Sequence, residues 1–228
     1  MKTSFLKCIL AVLLISSVSV VFGQKRTLLV ETINEWKNCK NVLITATKGN
    51  IAVSDKNGYA ISGEFPPEMY DVIVEASKNQ RPVTDMVLTE AGKFLVLIGR
   101  NGYAAKGIPK KLDARLKEIN AADGEVISVS FNDNEDWIVV AADAVYANIS
   151  YINDLQSIAD KNGRIMTAHL TNNGIAIVCK NGVYLYGDFP AALPETIRKT
   201  TFPIYRVKFA DDGAYFISDR TGSCSFGL

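Results

Sequence analysis

A chain that cleaves or transfers groups needs a nucleophile, a base or a metal ion, and this 228-residue sequence offers few of each. His169 is its single histidine, so a Ser-His-Asp or Cys-His site would have to use it. It falls in the alternating stretch IMTAHL (165–170), where it aligns with Ser130 and Lys208 of similar stretches. That position reads as structural or solvent-facing. A carboxylate-pair glycan hydrolase would draw on Asp85 and on Asp133, Glu135 and Asp136 of FNDNEDW (131–137). No other carboxylates converge with them, and FNDNEDW itself reads as an Asx-rich turn. The turns are also too short to build a deep cleft. No catalytic residue is assigned.

Metal chemistry finds no better footing. Cys39, Cys179 and Cys224 are widely spaced, without a CxxC pair. They read as small apolar residues in or beside strands, although an oxidising compartment would permit one disulfide. Asp160-Lys-Asn-Gly163 lacks the spaced carboxylates of a calcium loop and reads as a helix stop. Neither a metal nor a cofactor is expected.

The N-terminus points to export. Lys2 and Lys7 precede an apolar run, CILAVLLISSVSVVF (8–22), and then Gly23. This is the layout of a secretory signal peptide over 1–23, with the mature chain at 24–228. The run is short for a membrane span, and Cys8 stands at its start, where a lipid-bearing cysteine would not. With 25 basic and 24 acidic residues the chain is near neutral, and Lys110-Lys111 is the sole basic cluster, so a nucleic-acid partner is not expected. The mature chain is expected in the periplasm or medium, as a monomer without a membrane span.

The elements that must position any site are announced by repetition. KNGYAISGEFP (56–66) returns as RNGYAAKGIP (100–109) and KNGVYLYGDFP (180–190). Five copies follow, near 41–82, 83–125, 126–164, 165–203 and 204–228, the last completed by 24–40. A first turn recurs at Gly49, Gly92, Glu135, Gly174 and Gly213, spaced by 43, 43, 39 and 39. A second turn recurs at Asn57-Gly58, Asn101-Gly102, Asp143-Ala144, Asn181-Gly182 and Thr221-Gly222, and its Asn-Gly pairs suggest type I′ hairpins.

Each copy holds three strand-like runs. The first alternates: Ile127, Val129 and Phe131 are expected on one face, Ser128 and Ser130 on the other. The second is apolar throughout, as in FLVLIG and IAIVC, and so must be covered on both faces. The third begins near Tyr59, Tyr103, Tyr146 or Tyr184, tyrosines that read as packing between units. A helical linker follows, as at 108–120, with shorter versions at 66–73, 152–159 and 190–198.

The copies resemble the blades of five-bladed β-propellers over residues 28–228. WD40 and kelch signatures are absent. Tachylectin-type lectins share the blade count and rough period alone. The resemblance implies an all-β propeller of three- to four-stranded antiparallel blades with short helical linkers. The stretch LLVETINEWKNCKNVLI (28–44) matches the linker that the last copy lacks, which implies a ring closed by the N-terminal segment.

Asp85, Ser128, Thr167 and Arg206 share one position on the first runs. If those runs line the axis, these four line a channel and are the candidate ligand-binding residues, the alternative being a channel filled with water alone. The expected role is non-catalytic binding or scaffolding, with a protein or glycan outside the cytoplasm as partner. A multivalent lectin is the alternative, and a glycan hydrolase a more distant one.

Overall fold

Alternating first runs and wholly apolar second runs build one three-stranded antiparallel unit five times over. The computed structural model describes residues 26–54, 58–150 and 155–228. The expected signal peptide lies outside them, as do Asn57 of the first Asn-Gly pair and residues 152–154 of the third linker. The sheets are β1 (Asn41–Leu43), β2 (Asn50–Val53) and β3 (Tyr59–Ser62); β4 (Val83–Leu88), β5 (Phe94–Ile98) and β6 (Gly102–Lys106); β7 (Val126–Phe131), β8 (Trp137–Ala141) and β9 (Val145–Asn148); β10 (Ile165–Leu170), β11 (Gly174–Cys179) and β12 (Gly182–Gly187); and β13 (Arg206–Phe209), β14 (Tyr215–Ser218) and β15 (Cys224–Gly227). Each has its strands in sequence order, as in a five-bladed β-propeller. The first strands neighbour one another in the cyclic order β1, β4, β7, β10, β13, with β13 again beside β1.

The second strands show why they are apolar on both faces. In β5, Phe94, Val96 and Ile98 pack against the preceding sheet, while Leu95 and Leu97 pack against the following one. In β11, Ile175, Ile177 and Cys179 face back, and Ala176 and Val178 face forward. Burial of both sets is what stabilises sheets too small to hold a core alone.

A helix joins each of the five cores between sheets. These are α1 (residues 26–36), α2 (Pro67–Lys78), α3 (Lys110–Ala121), α4 (Leu155–Asn162) and α5 (Leu193–Lys199). Leu112, Leu116 and Ile119 of α3 pack between the second and third sheets. Leu29 and Ile33 of α1 meet Val42 and Ala52 of the first sheet and Phe216 of the last. In the same region Cys39 N donates to Gly222 O at 2.8 Å, Ser218 Oγ donates to Lys40 O at 2.8 Å, and Arg26 pairs with Asp212.

Three local expectations need adjustment. The second linker helix runs to Lys78, longer than its sequence suggests, because Met69, Ile73 and Ala76 continue the buried face. Asn101-Gly102 and Asn181-Gly182 are not type I′ centres: Ile98 pairs with Gly102 and Cys179 with Gly182, so each of these glycines opens the third strand. A Cβ on Gly102 would stand 2.8 Å from Ile98 O, so close approach, not positive φ, favours glycine there. Finally, Ile127 does not share a face with Val129 and Phe131. A β-bulge between Val126 and Ser128 turns Ile127 toward the next core, while Val126, Val129 and Phe131 share one.

Among the described residues the three cysteines, Cys39, Cys179 and Cys224, are free, with Cys39 and Cys179 buried. Burial, reinforced by the neighbouring Cys224 thiol, pushes the Cys39 thiol up to about 12, so it stays protonated at neutral pH.

Candidate functional site

The first strands deliver their polar side chains to the centre of the molecule. The bulge seen in β7 recurs in β4 between Val83 and Asp85 and in β10 between Ile165 and Thr167. It resets the alternation just before the candidate positions, leaving Asp85, Ser128 and Thr167 buried beside the axis. Arg206, which opens β13, is buried with them.

Asp85 is the hub. It is 0% exposed, and its Oδ1 forms ion pairs with Arg206 Nη1 at 2.8 Å and with Lys208 Nζ at 2.9 Å, the second also a hydrogen bond. Its Oδ2 accepts from Ser128 Oγ at 2.9 Å and Val129 N at 3.1 Å. Asn41 Nδ2 approaches Oδ1 at 3.2 Å. Burial by itself would raise the carboxyl's pKa. The two cations and the hydrogen bonds outweigh it and hold the group well below the usual carboxylate range. A carboxylate this committed is poorly placed to trade protons as a general acid.

Of the four candidates, Asp85, Ser128 and Arg206 meet directly. Thr167 does not join them: its Oγ1 donates to Tyr205 O at 2.6 Å, tying β10 to the approach of β13. Sequence reasoning noted Lys208 on the polar face but did not place it in the cluster, and it missed Asn41. Lys208 lies two residues after Arg206 on an alternating strand, which was the available signal. Asn41 was hidden because β1 has no aligned polar residue.

One layer along the axis stand Ser130, His169 and Lys208. His169 Nε2 lies 2.7 Å from Phe209 O, so Nε2 carries the proton and the ring meets Phe209 edge-on, with centroids 5.1 Å apart. Burial first, then the Lys208 charge, push its pKa down to about 3, so the imidazole is neutral at physiological pH. Burial also lowers the Lys208 pKa, against the opposing pull of Asp85.

The acidic stretch FNDNEDW forms a turn. Asn132 Oδ1 accepts from Asn134 N and Asp136 N, both at 3.0 Å, and Asp136 Oδ1 accepts from Ser150 N at 2.8 Å. Glu135 has φ +67°, the left-handed conformation that Gly92 and Gly213 adopt at the same place. The repeated tyrosines are engaged between sheets: Tyr103 Oη donates to Asp113 at 3.0 Å, and Arg115 lies 4.4 Å from the Tyr146 ring centre.

The axis opens at two ends of unequal size. At the first-turn end a cavity of about 50 Å³ is bordered by Thr45, Thr89, Asn132, His169 and Lys208. At the second-turn end a cavity of about 520 Å³ is bordered by Lys40, Asn41, Thr84, Arg164, Tyr205, Arg206 and Arg220, with Glu125 and Asp219. The latter is within the range of small-molecule sites. Among the described residues, no group of three or more His, Cys, Asp or Glu could hold a metal ion, and no helix is long and apolar enough to cross a membrane.

No protein-family model and no curated protein matches this sequence. Among solved structures, the chain is similar to the C-terminal domain of gp131 from bacteriophage phiKZ, with 11% identity, 68% of this chain and 53% of that chain covered, and a TM-score of 0.38. It therefore spans about half of that phage chain. It is also similar to streptogramin B lyase, with 12% identity, 84% and 69% covered, and a TM-score of 0.26. YCF48 bound to D1 peptide follows, with 9% identity, 84% and 68% covered, and a TM-score of 0.25.

Proposed function

We propose that this protein is exported, loses residues 1–23, and acts as a non-catalytic binding or scaffold module. In this reading the ring is closed by the N-terminal segment, and the mature chain is a monomer without a cofactor. Its partner is a protein or glycan outside the cytoplasm, taken at one end of the ring. The observation that carries the reading is the 520 Å³ cavity at the second-turn end, bordered by Arg206, whose guanidinium is ion-paired behind it to Asp85. A cavity of this size lined by hydrogen-bonded and ion-paired side chains suits recognition better than turnover. Asp85 and Asp136, the carboxylates a hydrolase would need, are each committed to internal partners.

A lectin with one site per blade is less well supported, since the repeated tyrosines are occupied between sheets. A single axial site fits better. The test is a glycan array and an envelope pull-down with purified residues 24–228, followed by calorimetry of each hit. A stoichiometry of one supports the axial module. Several equivalent sites per chain would replace it with the lectin, and turnover of any bound glycan would sink the non-catalytic reading.

A further inference from the structure

Cys39 and Cys224 stand far apart in the chain and meet where its two ends come together. That seam is a run of bonds between residues 38–40 and the last sheet. Asn38 Nδ2 donates to Thr221 O, Cys39 N to Gly222 O and Ser218 Oγ to Lys40 O, each at 2.8 Å. Ser218 and Cys224 are direct partners across β14 and β15. Cross-strand partners project to the same face of a sheet, so Cys224 points the way Ser218 does, toward the 39–40 segment.

The packing agrees with the register. Cys39 belongs to the core that α1 and the first sheet share with Phe216, and Cys224 packs against that same core. Each residue also registers the other electrostatically. Burial first, then the Cys224 thiol, raise the Cys39 pKa; burial raises that of Cys224, and the Cys39 amide opposes it. Cys179 lies apart, in the core between the third and fourth sheets. Both seam cysteines are free thiols in the structure.

We propose that Cys39 and Cys224 form a disulfide that holds the two ends of the mature chain together. This rests on the reading of the protein as exported, since such a bond persists in an oxidising compartment. The oxidant is a disulfide of a small molecule or of an oxidoreductase. The Cys224 thiolate attacks one sulfur of that disulfide, its S–S bond breaks, one thiolate leaves, and a mixed disulfide forms on Cys224. The Cys39 thiolate then attacks the Cys224 sulfur and expels the second thiolate. The protein pair loses two electrons and two protons, and the oxidant is reduced to two thiols. Cys39 is 0% exposed in the closed seam, so the exchange takes place during folding, before residues 38–40 seat against the last sheet. The loop it closes spans nearly the whole mature chain, and long loops are where a cross-link removes most unfolded-state entropy.

The experiment refolds residues 24–228 from denaturant with reduced and oxidised glutathione. Free thiols are then alkylated in denaturant, and the protein is digested without reduction and mapped by mass spectrometry. Alkylation is expected at Cys179 alone, with one linked pair of peptides carrying Cys39 and Cys224 and an intact mass about 2 Da below that of the reduced protein. The oxidised protein is expected to melt about 5–15 °C above its reduced form. Cys224→Ala should melt at one temperature with or without reductant, and Cys179→Ala should keep the linked pair. Three alkylated thiols after refolding would overturn the proposal, as would a linked pair that includes Cys179. Equal melting of oxidised and reduced protein would overturn the bond as what holds the ends. The same mapping on protein alkylated as it is recovered from its own cells separates this proposal from the export reading. Exported protein with all three thiols free would overturn the disulfide and keep export. Uncleaved protein in the cytoplasm would overturn export, and with it the oxidised state in the cell, even where refolding joins the pair.

Discussion

Asp85 illustrates how one side chain can look catalytic in a sequence and lie buried among ion pairs in the fold. It was legible as a polar residue on a repeated strand position, and its place beside Ser128 and Arg206 followed from that alignment. Its commitment to two cations was not legible. Lys208 comes from another sheet, 123 residues away, and no local pattern reports that meeting. Asn41 escaped because the aligned position of β1 holds the apolar Val42. The energetic consequence can be measured. Removing one member of a buried charge cluster leaves its partners unpaired, which costs about 3–5 kcal/mol. Asp85→Asn is therefore expected to lower the unfolding free energy by about that amount in urea titrations. Asp85→Asn combined with Lys208→Met should lose less than the sum of the two single changes, because it also removes an unpaired cation. Simple additivity would show that Lys208 is not held by Asp85.

At the scale of elements, the repeat made the strands easy to read and the turns harder. Strand runs are set by burial on both faces, a property carried by every residue in the run. Turns depend on a few dihedrals and on what the neighbouring sheet presses against them. At Asn101-Gly102 and Asn181-Gly182 the Asn-Gly signal located the second turn but not its geometry, since Gly102 and Gly182 pair into strands rather than sit at turn centres. The third copy's first turn is the opposite case. Its missing glycine marked a departure, and the structure gives the reason: Glu135 adopts the left-handed backbone of Gly92 and Gly213, supported by the Asn132 side chain. For a residue with a Cβ that conformation costs about 1 kcal/mol. Glu135 returns only an exposed ion pair with Lys93, worth less than that in solvent. Glu135→Gly is therefore expected to raise stability, by up to about 1 kcal/mol, with no change in the ligand affinity of the second-turn cavity. A midpoint shift in chemical denaturation checks the first, and calorimetry the second. A loss of stability would mean that the Lys93 pair outweighs the strain.

For the whole molecule, the decisive question is whether the two chain ends make one structure. An open stack of sheets frays from its terminal units, because each end unit has one neighbour. A closed ring has no such units. The core shared by α1, the first sheet and the last sheet, together with the bonds from Cys39 to Gly222 and from Ser218 to Lys40, is the contact on which the proposed closure rests. If these contacts close the ring, β2 and β14 should be as resistant to opening as β8 on the far side. Native-state hydrogen exchange at Ala52, Phe216 and Val139 is then expected to report opening free energies within about 1 kcal/mol of one another. Ile33 is 1% exposed in that core, and Ile33→Ala should cost about 2–5 kcal/mol. In a closed ring the loss lowers protection at all three amides together, as a single cooperative unit would. In an open array it would lower protection at Ala52 and Phe216 and leave Val139 untouched. That pattern would reject closure, and with it the ring on which an axial binding site depends.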